Sequence, residues 1–127
     1  MLKPEEQDPP ESYSMNYNIE TTASFNKEAK RLSKHYTSFK KDYEVLLDEL
    51  SNNPQQGTDL GHKLRKIRMK ITSKGKGKSG GARVISFTVI VSEEEAVLKL
   101  LFIYDKSERS SISEKELEDL LKKNDLI

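Results

Sequence analysis

Basic side chains are concentrated in one part of this 127-residue chain. Residues 62–83 contain nine lysines and arginines and no acidic residue, although the net charge of the whole chain is only +1. The segment ends in the stretch KGKGKSGGAR (residues 74–83), in which four glycines separate or follow three lysines. Lysine and arginine neutralise phosphates, so this concentration predicts a polyanion-binding site. The alternative is that folding disperses the charge over several faces.

Gly77, Lys78 and Ser79 invite comparison with the phosphate-binding loop of nucleotide-binding proteins. The spacing excludes that loop, because Thr72 stands where the first glycine of the motif belongs. A strand pattern also follows, whereas the motif needs a helix whose N-terminus receives the phosphate. We therefore expect the glycines to form a hairpin turn and not a site for a free nucleotide.

Cleavage of an RNA phosphodiester requires three things. The 2′-hydroxyl loses a proton, the pentacoordinate phosphate is stabilised, and the leaving 5′-oxygen gains a proton. Cations supply the second, and a lysine crowded by other cations can transfer protons because its pKa is lowered. A tyrosine near the end of a later strand adds a stacking ring or a proton donor. For each lysine alone, a solvated surface charge is the competing interpretation. The predicted catalytic residues are Lys76, Lys78, Arg83, Tyr104 and Lys106, and the predicted RNA-binding residues are Lys66, Arg68, Lys70 and Lys74.

Other chemistries find little support in the sequence. His35 and His62 are 27 residues apart and lack clustered carboxylates, and the chain has no cysteine, so we predict neither a metal site nor a cofactor. His62 is a candidate general base near the basic segment. A surface histidine at the start of a strand is the favoured interpretation.

The hydrophobic pattern predicts the elements that position these residues. Residues 17–24 read as a strand, and apolar residues at helical spacing between 25 and 50 predict two consecutive helices. Residues 51–61 are dense in turn residues. Three strands follow, of which residues 96–104 are apolar at nearly every position, as in a strand covered on both faces. The pattern Ser113-Glu-Lys-Glu116 is a capping box that starts a final helix.

In the first of these three strands, apolar and basic residues alternate, which places them on opposite faces of the sheet. Ile67, Met69 and Ile71 share one face, and a row of basic residues, namely Lys66, Arg68 and Lys70, shares the other. The order β-α-α-β-β-β-α predicts an α+β fold, with an antiparallel meander sheet and helices packed on one face. The basic row would then lie on the uncovered face.

Residues 1–15, MLKPEEQDPPESYSM, contain three prolines and four acids and are predicted to be a disordered tail ahead of one domain at residues 16–127. The chain has no apolar run of membrane-spanning length and no secretory-signal pattern at its start. We therefore expect a cytoplasmic protein without a membrane partner.

The segments LRKIRM, KGKGKSGGARVISF, LLFIYDKSE and ISEKEL together resemble the RelE/ParE superfamily of toxins from type II toxin–antitoxin systems, closest to the HigB-like RelE branch. The resemblance covers roughly residues 16–124 and implies the same small α/β fold. It implies a metal-independent endoribonuclease that enters the ribosomal A site and cleaves mRNA, inhibiting translation. It also implies a cognate antitoxin, with operator DNA bound only through the antitoxin complex.

The resemblance places the arginine after the glycine-rich turn on Arg83 and the turn lysines on Lys76 and Lys78. Two family residues are missing, because a catalytic arginine falls on Ser107 and a catalytic tyrosine falls where Ile112 and Ser113 stand. Either Tyr104 and Lys106 substitute for them, or the activity differs. A ParE-like poison of DNA gyrase and a catalytically inactive RNA- or partner-binding protein are the alternatives.

Overall fold

The computed structural model describes residues 16–127. The predicted tail, residues 1–15, lies outside the described residues. The described part folds into a sheet flanked by helices, whose bounds are β1 (Asn16–Thr21), α1 (Ala23–His35), α2 (Phe39–Asn52), β2 (Thr58–Gly61), β3 (Leu64–Met69), β4 (Ala82–Ile90), β5 (Glu95–Asp105) and α3 (Glu114–Lys123).

The sheet has the strand order β1-β5-β4-β3-β2. Strand β1 pairs with β5 in parallel, and the other neighbours pair antiparallel. The α+β class and the antiparallel meander of β3, β4 and β5 are therefore confirmed. Strand β2 was not predicted, because its four residues, TDLG, are typical of turns. It is a short, mostly exposed edge strand with an irregular register against β3.

Helices α1 and α2 cover one face of the sheet. Phe25 and Leu32 of α1 and Leu46 of α2 are buried there against the sheet. The strand residues of this core include Ile67, Met69, Ile71, Val84, Leu98 and Leu100. The predicted core parity of β3 is thus confirmed.

Helix α3 covers part of the opposite face, so the expectation that all helices pack on one face is wrong for this helix. Leu117 and Leu121 of α3 pack with Leu64, Ile85 and Leu101 in a second core. A register shift between Ile85 and Ser86 of β4 accompanies the second core. The reason is hydrophobic: β5 is apolar on both sides, and each side needs a cover.

The basic row consequently shares its face with α3. Leu64 at the start of β3 is buried, whereas Arg68, four residues further along the same face, is exposed. Helix α3 therefore leaves the far end of this face open, and the candidate site lies there. None of the helices within residues 16–127 is long and apolar enough to cross a membrane.

The glycine-rich stretch forms the predicted connection between β3 and β4. It starts with a 3₁₀ turn at Thr72–Lys74 and continues through Gly75 and Gly77, whose φ angles of 71° and 65° favour glycine. Gly81 closes the connection, since a Cβ atom there would lie 2.1 Å from the carbonyl oxygen of Met69. The glycines therefore let the chain turn and re-enter the sheet tightly against β3.

Candidate nucleic-acid interface

Three predicted site residues form a row across the open end of the sheet. Arg68 of β3 lies opposite Arg83 of β4, and Arg83 lies opposite Tyr104 of β5. Directly opposed residues of antiparallel strands project from the same face, with Cβ atoms about 5 Å apart. The fold therefore brings together residues that lie far apart in the sequence, as the prediction of a local polyanion site requires.

Arg83 is buried, with 5% of its surface exposed, and its guanidinium is held by the glycine-rich turn. Nη1 donates to the carbonyl oxygens of Lys78 at 3.1 Å and Ala82 at 3.2 Å, and Nη2 donates to that of Ser79 at 3.1 Å. An arginine side chain has five N–H groups. Two of them, including the one on Nε, have no acceptor within residues 16–127.

The charge of Arg83 is not balanced by a carboxylate of residues 16–127. No acidic side chain of the described residues forms a salt bridge with it. Burial, and then the nearby charge of Arg68, lowers the pKa of Arg83, and Tyr104 opposes that shift. Arginine nevertheless stays protonated in proteins. Buried charges are normally paired, so this site is electrostatically prepared for an anion.

Tyr104, the third residue of the same row, is buried. Only 3% of the residue is exposed, and its hydroxyl oxygen is buried without a hydrogen-bond partner in the described chain. Burial raises the pKa of Tyr104, while Arg83 and Arg109 lower it. The phenol is therefore neutral near pH 7. The side chain is covered in this structure, and its predicted role in base stacking remains a prediction.

Arg109 covers the Tyr104 ring, and the sequence-based prediction did not include it in the site. Its guanidinium carbon lies 5.4 Å from the ring centroid, within the range of a cation–π contact. Backbone N–H groups of Glu108 and Arg109 donate to the carbonyl of Asp105, and this turn brings Arg109 back over β5. The one available signal was its closeness to Ser107, where the resemblance places an arginine.

Lys74 lies on the opposite face of the sheet from Arg83. Its Nζ donates to Asp105 Oδ1 at 2.6 Å, with 7% of the lysine side chain and 1% of the aspartate side chain exposed. Tyr36 and Ser107 also donate to Asp105. Lys74 thus anchors the start of the glycine-rich turn to the end of β5. Its predicted contact with RNA stays a prediction.

The other lysines of the turn point in different directions. Lys78 Nζ lies 3.3 Å from Glu49 Oε2 of α2, so its ammonium is directed away from the face of Arg83, although its carbonyl binds Arg83. Lys76 is exposed, and its side chain passes close to Gly80. Lys106 is half-buried, and its backbone N–H donates to Gly81. Their roles in proton transfer stay predictions.

The two remaining residues that the sequence predicted to bind RNA are Lys66 and Lys70. Lys66 lies opposite Ile85 and is half-buried, and Lys70 is exposed just beyond the end of the strand. At about 3.3 Å per residue, alternate residues of a strand are about 7 Å apart, close to the phosphate spacing of an extended RNA strand. Lys66 and Arg68 therefore share the face of Arg83, whereas Lys70 lines a cleft with Asp42 and Glu49 of α2. The predicted contact of Lys70 with RNA stays a prediction.

The histidines lie outside this cluster. His62 occupies the β2–β3 hairpin turn with a φ of 52° and is six residues from Arg68, about 20 Å along the strand. Within residues 16–127, no three histidine, aspartate or glutamate side chains group as metal ligands would. A groove of about 770 Å³ lies beside His62 and α3, and neither Arg68 nor Arg83 lines it.

The arrangement can bind a phosphodiester and stabilise charge that develops on it. Arg83 offers free N–H donors from a fixed position, and Arg68 adds a second cation beside it. Preorganised donors of this kind act where negative charge grows in a transition state. A guanidinium also matches phosphate oxygens with two parallel hydrogen bonds.

Comparison with known protein families places this chain beside a described family. The family described as the RelE toxin of the RelE/RelB toxin–antitoxin system matches residues 19–125, which includes every predicted site residue. The match spans all the described elements, although it begins within β1.

Proposed function

Because the chain belongs to the RelE family of toxin–antitoxin toxins, we propose that it is a metal-independent endoribonuclease that cleaves mRNA on the ribosome and so inhibits translation. The family implies a cognate antitoxin as a partner. The ribosome and mRNA as targets, and operator DNA bound only through the antitoxin complex, are part of the proposal, as is the HigB-like branch.

The observation that carries the proposal is the unbalanced charge of Arg83. Within residues 16–127, the buried Arg83 guanidinium has unused N–H donors, no carboxylate partner and a second arginine opposite it, an arrangement that is costly to the free protein. A bound phosphate offsets that cost. An RNA backbone supplies such phosphates in series, which suits a site where further cations lie along β3.

In the proposed reaction, Arg83 donates to the non-bridging oxygens of the scissile phosphate, and Arg68 stabilises the pentacoordinate phosphorane. Lys66 contacts the RNA backbone beside Arg68. Lysines near the turn remove the proton of the 2′-hydroxyl and protonate the leaving 5′-oxygen. The candidates are Lys76, which is exposed, and Lys106, which is half-buried.

The test is to induce the protein in bacterial cells and map new RNA 5′ ends, comparing the wild type with Arg68→Ala and Arg83→Lys. Both variants should lose cleavage, and Arg83→Lys should lose roughly 100-fold, because lysine keeps the charge without the bidentate donors. Lys27→Ala, which removes an exposed α1 charge, is the control and should cleave like the wild type. Uncleaved messages with the wild type would overturn the enzymatic proposal. DNA damage in their place would indicate a gyrase poison.

A catalytically inactive RNA-binding protein is the second candidate, and one observation favours it. Ser107, where the resemblance expects a catalytic arginine, donates to Asp105 at 2.7 Å in the buried cluster around Lys74. In this chain, the side chain at position 107 therefore has a structural role. This candidate predicts that purified protein binds ribosomes with steep salt dependence and produces no new RNA ends.

A further inference from the structure

Arg109 is paired with a carboxylate at the start of α3. Its Nη2 donates to Glu116 Oε2 at 2.5 Å, while Glu116 Oε1 accepts the backbone N–H of Ser113 at 2.9 Å. The second contact belongs to the predicted capping box, which the structure confirms. Glu116 thus uses one oxygen for the helix cap and the other for Arg109.

Arg109 also belongs to the neighbourhood of Arg83. Both cations lie close enough to Tyr104 to lower its pKa, and Tyr104 lies opposite Arg83 in the register. Arg109 therefore lies beside the row formed by Arg68, Arg83 and Tyr104. Within residues 16–127, it differs from Arg68 and Arg83 in having a carboxylate partner. With 35% of its side chain exposed, it can be reached from solvent.

We propose that Arg109 is the third phosphate-binding arginine of this site and that Glu116 occupies it as an internal substitute for an RNA phosphate. When RNA binds, a phosphate oxygen replaces Glu116 Oε2 on the guanidinium. Arg109 then becomes a direct RNA ligand beside Arg83.

The exchange needs little rearrangement. The pair is exposed on both sides, at 35% and 44%, and exposed ion pairs contribute little to stability. The hydrogen bond from Arg109 lowers the pKa of Glu116 to about 2, so the carboxylate is charged at neutral pH and competes with a phosphate. The capping box holds Glu116 through its other oxygen, so α3 keeps its start when Arg109 leaves.

The inference rests on the proposed function only in taking RNA as the ligand, and binding can be measured without cleavage. The probe is a short, fluorescein-labelled 2′-O-methyl RNA, which lacks the attacking hydroxyl, and the readout is fluorescence anisotropy at low salt. Glu116→Gln should bind this RNA about tenfold more tightly than the wild type, which corresponds to about 1.4 kcal/mol. Glutamine still serves in a capping box, so the variant removes the charge and keeps the cap.

A double-mutant cycle separates this idea from general electrostatics. Arg109→Gln should weaken binding, and Glu116→Gln should have no further effect once Arg109 is replaced. Glu118→Gln, which removes an exposed charge from the same helix, is the matched control and should change affinity little. An equal gain from Glu118→Gln, or a gain from Glu116→Gln that persists without Arg109, would overturn the inference.

The outcomes also distinguish this inference from the proposed function. If Arg68→Ala weakens RNA binding while Glu116→Gln and Arg109→Gln do not change it, the site stands and the exchange at Arg109 is wrong. If the wild type binds RNA and Glu116→Gln binds it more tightly, but no cellular message is cleaved, the exchange stands and the enzymatic proposal is wrong.

Discussion

Arg68 and Arg83 lie directly opposite each other on neighbouring strands, with no carboxylate of the described residues paired to Arg83. Like charges opposed across a sheet destabilise it. A pair that costs stability in the free protein and lies at the open end of a face is typical of a binding site. Stability and function should therefore respond in opposite directions when the pair is broken.

Arg68→Thr should show this opposition. Threonine suits a strand, and its introduction removes the repulsion with Arg83, so the free energy of unfolding should rise by about 0.5 kcal/mol. RNA affinity should fall, with a shallower dependence on salt, because one phosphate contact is lost. Urea denaturation and anisotropy titrations at several salt concentrations measure the two effects. A variant that loses stability and keeps its RNA affinity would contradict this role for Arg68.

Asp105→Asn should destabilise the protein strongly. The substitution leaves the Lys74 ammonium, with 7% of its side chain exposed, without its counter-ion. Removal of one partner from a buried ion pair costs roughly 3–5 kcal/mol. Urea denaturation provides the measurement. Glu20→Gln, which breaks the exposed pair between Glu20 and Lys99, is the matched control and should cost less than about 1 kcal/mol.

Acid should destabilise the protein through the same aspartate. Burial alone would raise the pKa of Asp105, but hydrogen bonds from Lys74, Tyr36 and Ser107 outweigh it and hold the pKa well below its ordinary value of 3.8. The unfolded chain therefore binds a proton at a higher pH than the folded one. The contribution of Asp105 is complete above about pH 5 and is lost as the pH falls through the unfolded value toward the folded one.

Urea midpoints measured from pH 7 down to pH 3 test this dependence. The wild type should lose stability over the lower part of that range, and Asp105→Asn should show a smaller decrease, since it has no proton to take up at this position. An identical slope in both proteins would assign the acid sensitivity to other carboxylates.

The sequence predicted what depends on local pattern. Alternation along β3 placed Ile67 and Met69 in the core and Arg68 on the other face, and the capping box placed the start of α3. It missed what depends on contacts between distant segments. Lys74 and Asp105 are 31 residues apart, and nothing in the sequence around either one indicates that they pair.

Arg109 shows the same limit within the site. The sequence predicted all helices on one face of the sheet, so it did not place the start of α3 near Arg83, which lies on the other face. The apolar pattern of β5 on both sides was the signal that a helix covers each face. Once α3 lies on the second face, the turn after β5 passes over Tyr104 and brings Arg109 with it.

Gly81→Ala should disrupt the turn that holds Arg83. The added Cβ would lie 2.1 Å from the carbonyl oxygen of Met69, which requires β3 and β4 to separate where Arg68 and Arg83 face each other. We expect a loss of several kcal/mol in stability together with lost RNA binding. Gly77→Ala is the control, because its Cβ meets open space and its φ of 65° alone costs roughly 1 kcal/mol. Equal effects of the two substitutions would contradict the close-approach argument.

Tyr104→Phe separates the ring of this residue from its hydroxyl. The hydroxyl oxygen is buried without a partner in the described chain, so its removal relieves an unsatisfied polar group and should leave stability unchanged or raise it by about 1 kcal/mol. The phenylalanine ring keeps the contact with Arg109, so RNA affinity should stay at the wild-type value. Tyr104→Ala removes that ring and should lower both stability and affinity. Measuring cleavage together with affinity tests the predicted proton donor. A Tyr104→Phe protein that binds RNA normally but cleaves it more slowly would assign proton donation to the hydroxyl. Normal cleavage by this variant would show that Tyr104 acts only through packing.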